Sequence, residues 1–241
     1  MEYKRCKVKS NKEIEKDIFV IEVQGKFQVI PGQFFMLRAW GEEPVLSRPI
    51  SVYKIGEDSL SFLYQIVGRG TKLIARVKVG EEIELLGALG NGFPLSDIQG
   101  KIAIVAGGIG IAPMAHLIGM IKANYIDLYV GFRDKTFALD GLEKYSDNIF
   151  TSTESGSVGY KGYITDLIKP EKYDLVLCCG PEAMMKVLLN KCKEARVPIL
   201  VSTEKHMACG IGACLVCTCK TINGNKKSCK DGPVFRGEEL I

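Results

Sequence analysis

The sequence predicts an α+β multidomain fold with an antiparallel β-barrel domain, an α/β domain built on a parallel sheet, and a small C-terminal domain. In residues 1–98, short β-rich runs alternate with turn residues, a rhythm typical of small antiparallel barrels. In residues 99–200, apolar strands alternate with helical stretches, which indicates a parallel sheet. Residues 201–241 are rich in glycine and cysteine and too few to build an apolar core, so we expect a metal or a docking surface to stabilise them.

Each predicted element has its own sequence pattern. The strand-like runs of the first region are FVIEVQ, FFMLRA, SVYKI, LSFLYQIV and EIELLG. Gly, Pro, Asn or Asp residues separate several of these runs, as expected at turns. The buried strands of the second region are KIAIVAGG, YIDLYVGF, KYDLVLCCG and VPILVS. Between the last two strands, PEAMMKVLLNKCKEA predicts a helix.

Composition excludes several classes of protein. Of the 241 residues, 46% are apolar and 25% are charged, which is typical of a globular protein with a sizeable core. The formal net charge of +4 is small and no basic block is interleaved with aromatic residues, so we expect no nucleic-acid binding. Five of the nine cysteines lie between Cys209 and Cys229, and the N-terminus has no apolar signal segment. We therefore expect reduced, partly metal-bound thiols and a cytoplasmic location.

One segment has the length of a membrane span. Residues 102–121 carry no charged side chain and are about as long as a bilayer requires. Three glycines and Pro113 interrupt the segment, however, and charged residues close both ends. A buried strand, a glycine loop and an apolar helix explain this pattern better, so we expect no membrane span.

The cysteine cluster predicts a metal centre. Cys209, Cys214 and Cys217 have C-x4-C-x2-C spacing, and Cys229 follows twelve positions after Cys217. This is the spacing of plant-type ferredoxins, which hold a [2Fe–2S] cluster. The alternative is structural zinc, which commonly uses two C-x2-C pairs, whereas only one occurs here. Cys219 is a fifth thiol nearby, and we expect it to be a small packed side chain rather than a ligand.

Two loops in the second region predict a nucleotide site. KIAIVAGGIGIAPM places a glycine loop between a buried strand and a helix, where backbone N–H groups can bind a pyrophosphate. The alternative is a tight turn that needs glycine only for its dihedral angles. The tetrad Cys179-Gly180-Pro181-Glu182 also lies between a strand and a helix. Since ligands of open parallel sheets bind beyond the carboxyl ends of the strands, both loops could line one site.

The first region contains a candidate phosphate site. Arg48-Pro49-Ile50-Ser51 begins a strand, and an arginine beside a hydroxyl residue suits a diphosphate or a flavin phosphate. From these residues alone, a solvated surface arginine beside a strand-edge proline remains the alternative. Backbone N–H groups of residues 68–71 could add further donors.

The order of these motifs resembles the ferredoxin–NADP reductase superfamily. Arg-Pro-x-Ser comes first, followed by Gly-Gly-x-Gly-x-Ala-Pro and Cys-Gly-Pro. The tail HMACGIGACLVC, followed by CKDGPVF, resembles the electron-transfer subunits of dihydroorotate dehydrogenase B, and this resemblance covers essentially the whole chain. RPIS, LGNGFPL and CGPEAMMK fit the same family. Two residues depart from its pattern, namely Cys219, where a β-branched residue is commoner, and Cys178.

The resemblance implies a set of cofactor-binding residues. FAD would be bound by Arg48, Pro49, Ile50, Ser51, Leu63, Tyr64, Gln65, Gly70 and Thr71. NAD would lie across Gly108, Gly110, Gly180, Pro181 and Glu182, with Cys179 near the nicotinamide and the flavin. Cys209, Cys214, Cys217 and Cys229 would hold the [2Fe–2S] cluster. Residues 133–135, Arg-Asp-Lys, offer both an acid for a ribose hydroxyl and bases for a 2′-phosphate; the resemblance favours NAD over NADP.

The resemblance also implies a function and a partner. Electrons would pass from dihydroorotate through FMN, the cluster and FAD to NAD+, in pyrimidine biosynthesis. The FMN would belong to a (β/α)8 catalytic subunit, in a heterotetramer with two copies of each chain. Such a barrel needs about 250 residues, so this chain has no room for one. The alternatives are another reductase of the superfamily with a different partner, and a non-enzymatic redox sensor or zinc-stabilised binding module.

Overall fold

A computed structural model describes residues 1–123 and 125–241. The first region is a closed antiparallel barrel in which the strands follow the order β1-β2-β5-β4-β3-β6. A short helix, α1, lies between β5 and β6 and is preceded by the loop at residues 66–68. The elements are β1 (Glu2–Glu15), β2 (Ile18–Gln24), β3 (Phe34–Arg38), β4 (Arg48–Ile55), β5 (Ser59–Gln65), α1 (Arg69–Ala75) and β6 (Glu82–Leu89).

The barrel interior is filled by alternate residues of its strands. Val52, Phe62, Ile83 and Leu85 are among the side chains with no exposed surface there. The five predicted strands are confirmed as β2 to β6. Strand β1 was not predicted, because it is rich in charged residues and buries few apolar side chains. Its pairing with both β2 and β6 closes the barrel, and barrel closure is a tertiary event that a local pattern does not encode.

The second region is a sheet in the order β10-β9-β8-β7-β11-β12-β15. Its strands run parallel except for β15, which pairs antiparallel with β12. The predicted parallel α/β fold is therefore confirmed. The elements are β7 (Lys101–Gly107), α2 (Ile111–Ile118), β8 (Tyr125–Phe132), β9 (Asn148–Thr153), β10 (Tyr160–Lys161), β11 (Leu175–Cys179), α3 (Glu182–Ala195) and β12 (Ile199–Ser202).

Both faces of this sheet are covered. Alternate residues of β7 pack on the α2 side, as Ile102 and Ile104 do, or on the α3 side, as Ala103 and Val105 do. Burial on both faces explains why the strands read as continuous apolar runs. The core on the α2 side also contains Ile18, Tyr53 and Leu63 from the barrel, so the two regions share one apolar core.

The C-terminal segment has three short strands, β13 (Thr218–Thr221), β14 (Gly224–Lys227) and β15 (Val234–Arg236). β13 and β14 form a separate hairpin, while β15 extends the sheet. The segment packs on the barrel, where Phe34, Met36 and Leu89 contact Cys217 and Cys229. The predicted domain boundaries after residues 98 and 200 stay predictions.

Among the described residues, no helix is both long and apolar enough to cross a membrane. The segment at residues 102–121 divides into β7, a 3-10 turn at Gly108–Gly110 and the eight-residue helix α2. The strand, glycine loop and helix predicted for this segment are therefore confirmed.

Candidate functional site

The strand order reverses between β7 and β11. β8, β9 and β10 lie on one side of β7, while β11 and β12 lie on the other. Cys179, the last residue of β11, is in register with Ala106 near the end of β7. Nucleotides bind in the crevice beyond the carboxyl ends of the strands at such a switch point. The two predicted nucleotide loops follow these two strands, so both loops line this crevice.

The two loops touch through their backbones. A Cβ atom at Gly110 would lie 2.4 Å from the carbonyl oxygen of Cys179. On the other loop, a Cβ at Gly180 would lie 2.9 Å from the backbone nitrogen of Gly107. Side chains at either position would push the loops apart, so glycine is needed for close approach. Main-chain atoms of both loops therefore meet at the crevice, together with the side chain of Met184, whose Cε would lie 2.6 Å from a Cβ at Gly180.

Helix α2 points its N-terminus into this crevice. Gly110 is its N-cap residue and offers no side-chain cap. In its first turn, the N–H of Ile111 already donates to the carbonyl of Gly108 and Pro113 has no N–H, so the glycine loop before the helix stays the predicted pyrophosphate site. At the neighbouring loop, Pro181 caps α3, and Glu182 forms ion pairs with Lys186 at 2.8 Å and Lys205 at 3.7 Å. The Glu182 carboxylate is therefore neutralised by lysines of the protein.

Cys179 lies at the base of the crevice and is 2% exposed. Burial, reinforced by the nearby carboxylate of Glu204, raises the pKa of its thiol well above the usual range. The thiol is therefore neutral at physiological pH and is not a thiolate nucleophile. Ser202, at the end of β12, contacts it by a side-chain hydrogen bond. Cys179 is thus placed as a small neutral group on the crevice floor.

Glu204 was not among the predicted site residues. It follows β12, and its charge acts on Cys179 across the crevice. Its side chain reaches solvent, but the surrounding protein desolvates the carboxyl group and raises its pKa. The only sign of Glu204 in the sequence is a carboxylate two residues after a buried strand. This pattern is too common to predict a site residue. Only the position of β12 beside β11 brings this residue to the site.

The predicted flavin residues divide by role. Arg48, Pro49, Ile50 and Ser51 are partly buried and begin β4, as predicted. The Arg48 guanidinium lies against Gly70, where a Cβ would come within 2.4 Å of Nε. A guanidinium packed against a glycine backbone suits a diphosphate.

The other predicted flavin residues have structural contacts. Leu63 and Tyr64 are 1% exposed, and the Tyr64 hydroxyl donates to Asn11 Oδ1 at 3.1 Å. Their side chains therefore build the core, which leaves their main-chain atoms for a ligand. Gln65 is exposed. The Thr71 hydroxyl accepts the N–H groups of residues 67 and 68 at 3.0 and 3.2 Å and so organises the loop before α1.

The segment after β8 bears on the nucleotide type. Asp134 accepts a hydrogen bond from the Ser155 hydroxyl at 2.6 Å. Lys135 forms an ion pair with Glu15 at 3.4 Å. With its charge paired, Lys135 is less available to a 2′-phosphate, which agrees with the expectation of NAD.

The cysteine loop directs backbone donors at its sulfurs. Cys209 Sγ accepts the N–H groups of Ile211 and Ala213 at 3.4 and 3.3 Å, and Cys217 Sγ accepts that of Cys229 at 3.4 Å. Burial acts to raise the pKa of Cys209, but the backbone N–H groups outweigh it and lower that pKa to about 6. Sulfurs that accept several N–H groups are suited to be thiolate ligands.

The four predicted cluster ligands come together as two pairs. Cys209 lies beside Cys214, and the N–H of Cys229 donates to Cys217 Sγ at 3.4 Å. In residues 1–123 and 125–241, no three His, Cys, Asp or Glu side chains are arranged to hold a single metal ion. A [2Fe–2S] cluster takes two thiolates at each iron. The paired thiols therefore fit a dinuclear cluster.

Two other cysteines, Cys219 and Cys178, do not belong to these pairs. The Cys219 thiol is 4% exposed and donates to the Cys217 carbonyl at 3.8 Å, and its other polar contact is with Thr203. It is a packed side chain beside the loop. Cys178 is fully buried near Cys192 on the α3 side of the sheet.

Comparisons with known proteins agree with this geometry. Residues 204–241 match the family model described as the iron-sulfur cluster binding domain of dihydroorotate dehydrogenase B. A dihydroorotate dehydrogenase B (NAD(+)) electron transfer subunit from Clostridium acetobutylicum is 52% identical over 98% of this chain and 96% of its own. One of the same name from Clostridium perfringens is 45% identical over 100% of this chain and 98% of its own.

Solved structures extend the comparison to the fold. A structure of an NADH-dependent reduced ferredoxin-NADP oxidoreductase, described for flavin-based electron bifurcation, has a TM-score of 0.87 and 28% identity over 98% of this chain and 89% of its own. A ferredoxin NADP+ reductase from Neisseria gonorrhoeae with bound FAD and NADP has a TM-score of 0.67 and 18% identity over 81% of this chain and 92% of its own. At that identity, the second comparison concerns the fold alone. Given the full-length relatives, the chain belongs to the family of dihydroorotate dehydrogenase B electron transfer subunits.

Proposed function

We propose that this chain is the electron-transfer subunit of an NAD-dependent dihydroorotate dehydrogenase of pyrimidine biosynthesis. One observation carries the proposal: a loop with two cysteine pairs is joined to a nucleotide crevice within a single chain of this family. The chain would receive electrons from a catalytic subunit and deliver them to NAD+. The names of the relatives, which are NAD(+) electron transfer subunits, support this role.

Three cofactors are required for this role: a [2Fe–2S] cluster, FAD and NAD. Nicotinamide exchanges two electrons as hydride and an iron–sulfur cluster carries one, whereas flavin does both and so belongs between them. Cys209, Cys214, Cys217 and Cys229 would hold the cluster. Arg48 and the backbone near Gly70 would hold the FAD diphosphate, and the crevice between the ends of β7 and β11 would hold NAD.

The side chains around the crevice orient the ligands and exclude water. The glycine loop before α2 would supply N–H donors for a pyrophosphate, and the close contact of the two glycine loops fixes their spacing. Cys179 keeps its proton, so it adds no charge beside a nicotinamide. A hydride transfer needs no side-chain base. We therefore assign no catalytic role to His116 or His206.

The cluster loop is also the proposed docking surface for the catalytic subunit. Cys214 is exposed, and Ile211, Leu215 and Val216 around it are 47%, 63% and 55% exposed. Exposed apolar side chains grouped around a redox centre fit a protein partner. We propose an FMN-containing (β/α)8 subunit, in a heterotetramer with two copies of each chain. A cytoplasmic location fits the nine cysteines, all of which are free thiols.

The proposal is tested by an anaerobic titration of the freshly purified protein with NADH, followed by absorbance and EPR. We expect bleaching of a flavin band and a [2Fe–2S] signal on reduction. Protein that is colourless and contains zinc would refute the proposal. Much faster reduction by NADPH than by NADH would refute the nucleotide assignment.

A second candidate is a reductase that exchanges electrons with ferredoxin or another carrier. The likeness to the NADH-dependent reduced ferredoxin-NADP oxidoreductase over 98% of this chain favours it. Affinity purification from the native cells distinguishes the two candidates. Recovery with an FMN-containing barrel subunit supports the first, whereas recovery with ferredoxin and without that subunit supports the second.

A further inference from the structure

The loop at residues 39–47 connects β3 to β4 and is organised by a single arginine. Arg38, the last residue of β3, donates hydrogen bonds to the carbonyl oxygens of Trp40 at 3.1 Å and Val45 at 2.6 Å. It also donates to the carbonyl of Gly41. The indole N–H of Trp40 donates to the carbonyl of Pro44. The loop is therefore closed around the Arg38 side chain and holds Trp40 in one place.

Trp40 is in contact with the arginine of the proposed flavin site. The Arg48 guanidinium carbon lies 5.5 Å from the centre of the indole ring, and that of Arg38 lies 5.8 Å from it. Both distances are within the range of a cation–π interaction. Arg48 also donates to the carbonyl of Leu46 in the same loop. Arg48 is thus attached to this loop by a ring contact and a hydrogen bond.

The other neighbour of Arg48 is the backbone of Gly70. A Cβ at this position would meet Nε, Cζ and Nη2 of Arg48 at 2.4, 2.7 and 2.9 Å. The loop at residues 39–47 is connected to the same turn by an exposed ion pair of 2.9 Å between Glu43 and Arg69. The guanidinium is therefore confined by the indole ring and by Gly70. A long, flexible side chain is thus held in one orientation by contacts within the protein.

We infer that Trp40 is a positioning residue that preorganises Arg48 for the diphosphate of FAD. This inference rests on the proposed function, because it assigns Arg48 to the flavin. Preorganisation increases affinity because binding no longer has to immobilise a free arginine side chain. Trp40 was not among the predicted site residues, because nothing in the sequence marks a single tryptophan in a polar loop as part of a site. It is the only tryptophan of the chain.

The test is a double-mutant cycle on FAD affinity in the full-length chain. The dissociation constant of FAD is measured by flavin fluorescence for wild type, Trp40→Leu, Arg48→Ala and the double variant. Because a cation–π contact at a partly exposed site is worth about 1 kcal/mol, Trp40→Leu should weaken FAD binding about fivefold. In the Arg48→Ala background, Trp40→Leu should change the affinity less than twofold. Trp40→Phe retains a ring face and should restore most of the affinity.

A second measurement reports the contact without FAD. Because the chain has one tryptophan, acrylamide quenching of its fluorescence reports Trp40 alone. Arg48→Ala should increase quenching in the flavin-free chain, while Arg69→Ala, which removes only an exposed ion pair of the same loop, should change it little. Cluster content provides the folding control for every variant, since none of the substituted residues is a proposed cluster ligand.

The outcomes separate this inference from the proposed function. If wild type binds FAD and Trp40→Leu lowers the affinity equally in both backgrounds, Trp40 acts independently of Arg48 and the inference is wrong. Wild-type affinity in Trp40→Leu, or unchanged quenching in Arg48→Ala, would also overturn it. If wild type binds no FAD, the proposed function fails and the inference fails with it.

Discussion

The nucleotide crevice and the cysteine loop are built in opposite ways. The crevice lies at the end of a sheet that is buried on both faces, where main-chain atoms of two glycine loops meet. The cysteine loop is exposed at its tip and is defined by four thiols. Its small core consists of two of those cysteines and three barrel residues. The crevice therefore depends on the fold, whereas the loop depends on its metal and on the barrel.

This difference predicts how each site fails. A backbone site tolerates most side-chain changes but not a new Cβ at a close contact. A thiol site tolerates changes in the surrounding loop but not the loss of a ligand. The cysteine loop packs against the barrel at Gly210, where a Cβ would lie 2.8 Å from Cγ of Met36. Substitutions of each kind should therefore impair one site and spare the other.

The largest effect is expected from Cys229→Ser. Since Cys229 is paired with Cys217, the substitution should abolish the cluster, measured as iron content and visible absorbance. FAD and NADH binding should persist, because the crevice does not use these thiols. Cys219→Ser is the matched control and should retain the cluster. If Cys219→Ser loses the cluster and Cys229→Ser retains it, the assignment of the fourth ligand is wrong.

Acid should lower the free energy of unfolding through His116 on α2. The imidazole is 6% exposed and both nitrogens lack a hydrogen-bond partner among the described residues. Burial lowers its pKa from 6.5 to about 4. The unfolded chain therefore binds this proton more readily than the folded chain, so stability is greatest above pH 6.5 and falls by about 3 kcal/mol as the pH drops toward 4.

His116→Leu should therefore reduce the loss of unfolding free energy between pH 6.5 and 4, measured by urea denaturation. Leucine has a similar volume and needs no hydrogen bond. His206→Leu, which removes an exposed imidazole, should leave the acid profile of wild type. Identical acid profiles for His116→Leu and wild type would contradict the prediction.

Gly110→Ala should impair the crevice and spare the cluster. The new Cβ would lie 2.4 Å from the Cys179 carbonyl oxygen, and overpacking of this kind costs about 1–3 kcal/mol. We expect NADH affinity to fall about tenfold, measured by flavin reduction at increasing NADH, with normal iron content. Gly119→Ala is the matched control, since its nearest atom is 3.9 Å away and its φ is −75°. Equal NADH affinity in the two variants would mean that the loop contact is not part of the site.

The smallest effect is expected from Glu204→Gln, in the segment that joins β12 to the cysteine loop. Burial raises the pKa of Glu204. A raised pKa favours the fold below the unfolded value of about 4.3 and disfavours it as the carboxyl ionises at higher pH. The variant should be more stable than wild type at pH 7–8, by less than about 1 kcal/mol because solvent reaches the side chain.

The pH dependence separates this effect from a general charge effect. The gain from Glu204→Gln should vanish near pH 4, measured by thermal unfolding. Glu238→Gln removes the same charge at an exposed position and should give no such pH dependence. A gain that is equal at pH 4 and pH 8 would show that ionisation is not its cause.

The sequence by itself determined the chemistry of the cysteine loop and the type of most elements. Ligand spacing is local, so the positions of Cys209, Cys214 and Cys217 already indicated the cluster. The buried strands β7, β8, β11 and β12 were also predicted, because burial on both faces produces uninterrupted apolar runs. The family resemblance added the flavin and nicotinamide residues, which remain proposals.

Only the tertiary structure decided which distant residues meet. Strand β1 is polar and forms because both its edges are paired, and β15 forms because β12 offers a free edge. The reversal of strand order at β7 and β11 gives the crevice its place, and the fold brings Glu204 to Cys179 and Trp40 to Arg48. The physical reason is that spacing and periodicity record neighbours along the chain, whereas pairing and packing join residues whose separation in sequence carries no pattern.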